Sequence, residues 1–350
     1  PFYAHFLDQT KLNHPGRDSV IQSQSTNWDE IVKLCIGKSP QSDKAVFYQN
    51  HSESLGYRNH SKYKQQVFNA RVWHDLSESS QIRWQFNYTN SPYAYDAGGI
   101  NLDMVKENAK QARPQNETYN TYETINHLKT GLQWEKQIND NLRWDSYAFY
   151  AHRDFVGRLP FGFGGFVDLK RDYYGLGTAM EYQPQKHHRM QLRFSLADQK
   201  DHRQRFKNLN GSSGENTLDQ DELFFNTALS FLDELKWNFG LLRLGLRYDY
   251  QSLGTQREKD EVQLNSLNPS LGFTYTQLGN NVIFVSYSSS FETPTLNELS
   301  ANPSGNQGFN PNLSPSKAHN FELGWRYSTP QNNVEATIYA INTQNEILPY

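Results

Sequence analysis

Along residues 242–250 every second side chain is apolar. Leu242, Leu244, Leu246, Tyr248 and Tyr250 stand on one side; Arg243, Gly245, Arg247 and Asp249 stand on the other. A period of two belongs to a β-strand, because successive side chains leave opposite faces of the pleat. A strand with one wholly apolar face and arginine on the other suits a wall between an apolar medium and water. The pattern recurs in nearly every segment from about residue 63 onward. Ile82, Trp84, Phe86 and Tyr88 alternate with Arg83, Gln85 and Asn87, and Leu128, Thr130, Leu132 and Trp134 with Lys129, Gly131, Gln133 and Glu135. Leu142, Trp144, Ala148 and Tyr150 oppose Arg143, Asp145 and Arg153; Met190, Leu192, Phe194 and Leu196 oppose Gln191, Arg193 and Ser195.

A soluble antiparallel sheet with one wet face would alternate too. Length separates the two readings. Many of these runs reach about 10 residues, near the roughly 9 to 11 of a tilted membrane-spanning strand, whereas soluble strands average about 5 to 6. The connections agree. Short turns such as Gln137-Ile138-Asn139-Asp140, Gln183-Pro184-Gln185-Lys186 and Leu278-Gly279-Asn280-Asn281 join one set of strand ends. Long polar stretches, roughly 91–122, 154–170, 200–220, 252–262 and 292–316, join the other. Short turns on one side and long loops on the other are the asymmetry of an outer-membrane barrel.

Composition looks hostile to a membrane protein, with 36% hydrophobic residues and a mean hydropathy of −0.83. No apolar run approaches the roughly 18 residues of a spanning helix. A transmembrane barrel escapes that test, since lipid-facing and lumen-facing residues alternate and the loops are polar. The 21 Tyr, 21 Phe and 7 Trp supply aromatic girdles at the two interfaces. A net charge of −3 gives no basic surface for nucleic acid. The single cysteine, Cys35, forms no internal disulfide and no cysteine metal site. The fold class expected is therefore all-β, a transmembrane antiparallel β-barrel. Residues 44–350 hold about a dozen strands of a partial barrel without its C-terminal strands, and residues 1–43 are irregular and unassigned. The run Lys33-Leu34-Cys35-Ile36 fits nothing around it.

Several motifs carry a more specific likeness. The strand ending in Ser290-Phe291-Glu292-Thr293-Pro294-Thr295-Leu296-Asn297-Glu298-Leu299 leads through Asn312-Leu313-Ser314-Pro315 into Phe321-Glu322-Leu323-Gly324-Trp325-Arg326-Tyr327. Gly56-Tyr57-Arg58-Asn59-His60-Ser61 precedes an early strand. Asp96-Ala97-Gly98-Gly99-Ile100 and Gln111-Ala112-Arg113-Pro114-Gln115-Asn116 punctuate the first long loop. In order and spacing these resemble the barrel of TonB-dependent outer-membrane receptors over roughly residues 48–347. The loop signature is closest to the siderophore-type subgroup that includes the receptor for pyrroloquinoline quinone.

The resemblance implies a barrel of about 22 strands, closed by an N-terminal plug. It also implies uptake of a scarce ligand, a ferric siderophore, another metal chelate or a cofactor, across the outer membrane of a Gram-negative cell. The implied partners are the TonB energy-transducing complex, acting through a plug that this chain does not show, and an anionic or iron-chelate ligand. The others are outer-membrane lipid and no second copy: a monomer is expected. Competing readings are a passive porin, needing no plug, and a secreted β-rich carbohydrate-binding protein, soluble without detergent.

No catalytic motif, phosphate loop or metal-ligand cluster is present in the sequence, so neither an enzyme nor a resident cofactor is expected. An anionic ligand would be held by arginine forks beside aromatic rings. The candidates are Arg153 and Arg158 around Phe155, Arg113 with Tyr93 and Tyr95 in the first long loop, and Arg203 and Arg205 beside Phe206. The default reading of any single arginine is a place in the charge ladder of a polar lumen, paired with Asp or Glu. Phe161-Gly162-Phe163-Gly164-Gly165-Phe166 is a mobile aromatic loop that suits a flat ligand. Pro294, Asn297 and Glu298 serve a turn.

Overall fold

The computed structural model describes residues 32–38, 43–255, 261–300, 310 and 313–346. One antiparallel sheet of fourteen strands runs in sequence order, each strand hydrogen-bonded to the one before and the one after it. They are β1 (Val32–Lys38), β2 (Asp43–Ser54), β3 (Tyr63–Ser77), β4 (Ser80–Tyr95), β5 (Tyr122–Asn139), β6 (Leu142–Arg158) and β7 (Phe166–Gln185). There follow β8 (His188–Leu209), β9 (Ser212–Trp237), β10 (Gly240–Thr255), β11 (Glu261–Leu278), β12 (Asn281–Glu292), β13 (Ser316–Ser328) and β14 (Asn333–Gln344). Among the described residues β1 and β14 do not pair, so the sheet is an open arc of barrel wall. No described helix is long and apolar enough to cross a membrane.

The alternation read in the sequence is the two-sidedness of this wall. Leu132, Leu176, Leu192, Leu229, Leu246, Val285 and Phe321 all stand on the outer side, each roughly half exposed. On β6, β7 and β8 the outward apolar run ends at Tyr150, Tyr174 and Leu196. The next outward residues upward are His152, Asp172 and Asp198. That boundary marks the upper edge of the lipid-facing band. The inner side carries an ion-pair ladder. Glu135 accepts from Arg83 at 3.0 Å and Arg143 at 2.8 Å, Glu234 bridges Arg189 and Arg243, and Asp249 pairs with Arg247 at 2.6 Å.

Three expectations change. The stretch 200–220 is not a loop: β8 and β9 are 22 and 26 residues long and meet in a tight turn. Asn210 and Gly211 have φ of 51° and 93°, the left-handed pair a two-residue hairpin needs. Likewise 154–170 shrinks to the short connection between Arg158 and Phe166. Above the lipid band both faces of a strand are wet, so alternation of apolar and polar disappears and the strand reads as a polar loop. The Lys33–Ile36 run belongs to β1, paired residue for residue with β2, because backbone pairing needs no alternation. Residues 1–31 and 39–42 of the unassigned segment lie outside the described residues, as do 256–260, 301–309 and 311–312 of the expected loops.

The strand-to-helix motif at residues 291–299 folds inward. α3 (Leu296–Ser300) starts with a reciprocal cap. The Glu298 carboxylate accepts from the Thr295 backbone at 2.7 Å, and Thr295 Oγ1 accepts from the Glu298 backbone at 3.2 Å. Leu296 and Leu299 pack with Leu253 and Leu264 on the inner wall, forming the main buried apolar cluster. Glu298 thus serves a helix start, and Pro294 is fully buried beside it.

A cation-rich row on the lumen wall

Strand register lines up one inward-facing row across five strands. His127 on β5 faces Arg153 on β6, Arg153 faces Arg171 on β7, Arg171 faces Asp201 on β8, and Asp201 faces Glu222 on β9. The row lies just above the lipid band. One half is cationic and the other acidic. Arg171 grips Asp201 with both arms, Nε to Oδ1 at 2.7 Å and Nη2 to Oδ2 at 2.5 Å. Arg203 does the same to Glu222, at 2.9 and 3.0 Å. Asp201 and Glu222 are 2% and 0% exposed, so these forks neutralise carboxylates that would be very costly alone.

Arg153 is different. It faces Arg171, whose charge is already matched by Asp201, and like charges directly opposite one another repel. Its guanidinium lies 5.2 Å from the centre of the Phe155 ring, and its buried Nε has no hydrogen-bond partner. Burial, and then Arg171, lowers its affinity for its proton. Burial also takes His127 down to about 4, helped by Lys129 and Arg153, so this imidazole is neutral at pH 7. Arg205, a short step up β8, is lowered by burial and by Arg203. The row therefore offers a desolvated cation beside a second guanidinium and an aromatic ring. Asp201 and Glu222 are taken by Arg171 and Arg203, and Glu123 acts on Arg153 only from a distance, forming no ion pair with it.

The candidates named from the sequence thus separate into three groups. Arg153, Arg203 and Arg205 face the lumen, with Arg203 spent on the ladder. Tyr93, Tyr95 and Arg158 do not join them. Tyr95 pairs with Tyr122 and Tyr122 with Arg158, all on the outward parity of Leu128 and Tyr150. The β-bulge near Pro92 turns Tyr93 outward as well, where its hydroxyl donates to Glu53 at 2.9 Å. A bulge shifts parity by one residue, which no periodicity argument across it can see. Arg113 is exposed at the start of α2 (Pro114–Thr118), which follows α1 (Leu102–Asn108) in the loop between β4 and β5. His127 and Lys129 were missed, although their inward parity was readable from the neighbouring Gly131, Gln133 and Glu135. Arg171, on β7, was missed too and is placed in the row by its register with Arg153.

The loop motifs interlock above this row. Arg58 donates to the backbone carbonyls of Gly98 at 2.6 Å, Ala97 at 3.2 Å and Gln111 at 2.9 Å. His60 Nε2 bonds the Thr121 carbonyl at 2.8 Å, and the Arg113 backbone N–H reaches Ala97 at 2.8 Å. Gly98 has φ of +65°, and a Cβ there would lie 2.4 Å from Asn116 Oδ1. The glycine is what lets the loop close on the Asn116 side chain, which donates to the Asp96 carbonyl at 3.1 Å. The aromatic loop is also tied down. Buried Asn208 donates to the carbonyls of Tyr119 at 3.0 Å and Leu159 at 3.2 Å, and accepts from the Gly211 backbone at 2.7 Å.

The sequence profile of the TonB dependent receptor-like β-barrel matches residues 46–350. The chain belongs to the TonB-dependent receptors. It is a protein of the Gram-negative outer membrane, and its family is one of transport receptors rather than enzymes. A sulfotransferase-domain profile matches residues 1–54, a stretch mostly outside the described residues. Among solved structures, the receptor is similar to the ferric citrate transporter FecA in its unliganded form. The TM-score is 0.74 at 17% identity, covering 89% of this chain and 48% of that one. The copper transporter OprC gives a TM-score of 0.70 at 13% identity, covering 88% and 50%. The FrpB iron transporter from Neisseria meningitidis gives 0.65 at 15% identity, covering 87% and 51%. At such identities the likeness is one of fold, and the receptor chain spans about half the length of each of these proteins.

Proposed function

We propose that the protein takes up a scarce anionic ligand across the outer membrane, driven by the TonB complex, and that the cargo's oxyanions meet Arg153 on the lumen wall. The cargo class is a ferric siderophore or similar metal chelate, with a cofactor such as pyrroloquinoline quinone as the other member. Transporters of ferric citrate, copper and iron share the fold. The observation that carries the reading is the state of Arg153: desolvated, faced by a second guanidinium, stacked on Phe155, and joined to no carboxylate in an ion pair among the described residues. A bidentate oxyanion supplies what that site lacks, and charge-assisted bonds of this kind are the strong ones. The neutral His127 faces it from β5, Arg205 stands higher on the same face of the wall, and Arg113 is exposed in the loop between β4 and β5. The chain does no covalent chemistry in this scheme and works as a monomer in outer-membrane lipid.

The test is growth of a receptor-deficient strain carrying the full-length gene, on ferric chelates, haem, cobalamin and pyrroloquinoline quinone in turn. Arg153→Gln should weaken uptake of the rescuing cargo by about tenfold, the cost of roughly one charge-assisted bond, while the barrel still migrates as folded. Undiminished uptake by the folded variant would remove Arg153 from the cargo site.

A further inference from the structure

Tyr93, Tyr95 and Arg158, which face away from the lumen, belong to a second constellation. At one level of the wall, Tyr95 on β4, Tyr122 on β5, Arg158 on β6, Phe166 on β7 and Phe206 on β8 are successive cross-strand partners. Their rings and charges touch in series. Tyr95 and Tyr122 have centroids 5.3 Å apart, and the Arg158 guanidinium lies 4.5 Å from Tyr122 and 5.1 Å from Phe166. Phe166 meets Phe206 edge-on at 6.0 Å. At the near end Lys62 sits 4.7 Å from the Tyr95 ring and 5.6 Å from Tyr93. The row crosses five strands, so it is roughly 19 Å wide at about 4.8 Å per strand.

Height decides what such a row can meet. The lipid band on β6 ends at Tyr150, and Arg158 lies further up the same face. At about 3.3 Å per residue that is roughly 26 Å along the strand, or about 20 Å above the band for a tilt near 40°. Acyl chains do not reach there, and cargo in the lumen is on the other side of the wall. What surrounds the outer wall at that height is the saccharide layer of the outer leaflet. The cations are free for it: among the described residues neither Lys62 nor Arg158 is paired with a carboxylate, and the buried Arg158 Nε has no hydrogen-bond partner.

We propose that the outward row from Tyr95 to Phe206 docks the phosphorylated saccharide of the glycolipid around the barrel. Flat aromatic faces carry negative potential that suits the C–H face of a sugar ring. A guanidinium held between two rings presents a fork to a phosphate. This reading is independent of what the lumen carries.

The full-length protein in detergent would be titrated with three probes: lipopolysaccharide with its complete core, lipopolysaccharide truncated to the lipid anchor, and phosphatidylglycerol. Arg158→Gln and Tyr122→Leu should each weaken binding of the complete-core glycolipid about tenfold, one charge-assisted contact's worth, and leave the other two probes unchanged. Heat-modifiable migration checks that each variant folds, with Phe166→Leu replacing either one that does not. Unchanged affinity for the complete core in folded variants overturns the proposal. So does an equal loss for the truncated glycolipid, which would place the contact at the lipid anchor and not at the saccharide.

Discussion

The hairpin of β8 and β9 contains two kinds of strand joined end to end. In its lower half Met190, Leu192, Phe194 and Leu196 face lipid while Gln191 and Arg193 face the lumen, and the alternation alone reveals the strand and its orientation. In its upper half, from Asp198 to Leu209, the antiparallel pairing continues through two register shifts near Phe206, but both faces are mostly polar. Sequence pattern reports the media on the two sides of a strand and not the strand itself. Where the media are the same, the signal vanishes although the backbone ladder goes on. This difference carries a sharp energetic expectation. Leu192→Arg puts a charge into hydrocarbon and should cost about 2–4 kcal/mol near the midplane. Gln204→Arg, outward on the same strand but above the band, should stay within about 0.5 kcal/mol. Urea unfolding in lipid vesicles measures both, and equal costs would mean that the band has been placed wrongly.

The upper halves must be held by something other than lipid, and Asn208 shows what. It is 2% exposed and joins three connections through its side chain: the Tyr119 end of the first long loop, Leu159 before the aromatic loop, and the β8–β9 turn. Asn208→Ala leaves two carbonyls and one N–H without these partners, at about 1–3 kcal/mol for a buried unsatisfied group. Because the spanning halves do not depend on Asn208, the loss should be local. Hydrogen exchange should accelerate in residues 159–165 and around Gly211 while the amides of the lipid-facing band keep their protection. Uniform acceleration along β8 would mean that the two halves unfold as one unit.

The same division explains how far residues alone could be read. The spanning strands, their inward and outward faces and the long-loop side were open to inspection, because lipid imposes a period of two. The family likeness lay in motifs whose work is now visible: Arg58 clamps the loop that Gly98 closes, and Thr295 and Glu298 cap a helix tucked against the inner wall. What stayed hidden was pairing in register. Arg153, Arg158 and Arg203 look alike in sequence, yet one faces a second arginine, one lies between two rings outside the wall, and one is spent on Glu222. Parity along the unbroken β6 separates Arg153 from Arg158, but which partner each arginine meets depends on the register of the next strand, and for Tyr93 and Tyr95 on the bulge near Pro92.

The smallest expected effect lies at the very top of the hairpin, where the two strands are held by exposed charge. Lys207 Nζ approaches Glu215 Oε2 at 2.6 Å beside the Asn210-Gly211 turn. The Lys207 hydrogen bond and charge lower the Glu215 carboxyl below its ordinary 4.5. A carboxyl whose folded value is depressed favours the folded state above its unfolded value, and that contribution fades as pH falls through the folded value. The pair should therefore act above pH 4.5 and be lost in stronger acid. Both side chains are in water, so salt should erase the effect. A carboxyl titration by NMR should place Glu215 below 4.5 at low salt, and Lys207→Gln should return it to the ordinary value without altering the spanning band. If instead the variant loosened the band, the upper and lower halves of the hairpin would be energetically one element, and the contrast between them would describe composition alone.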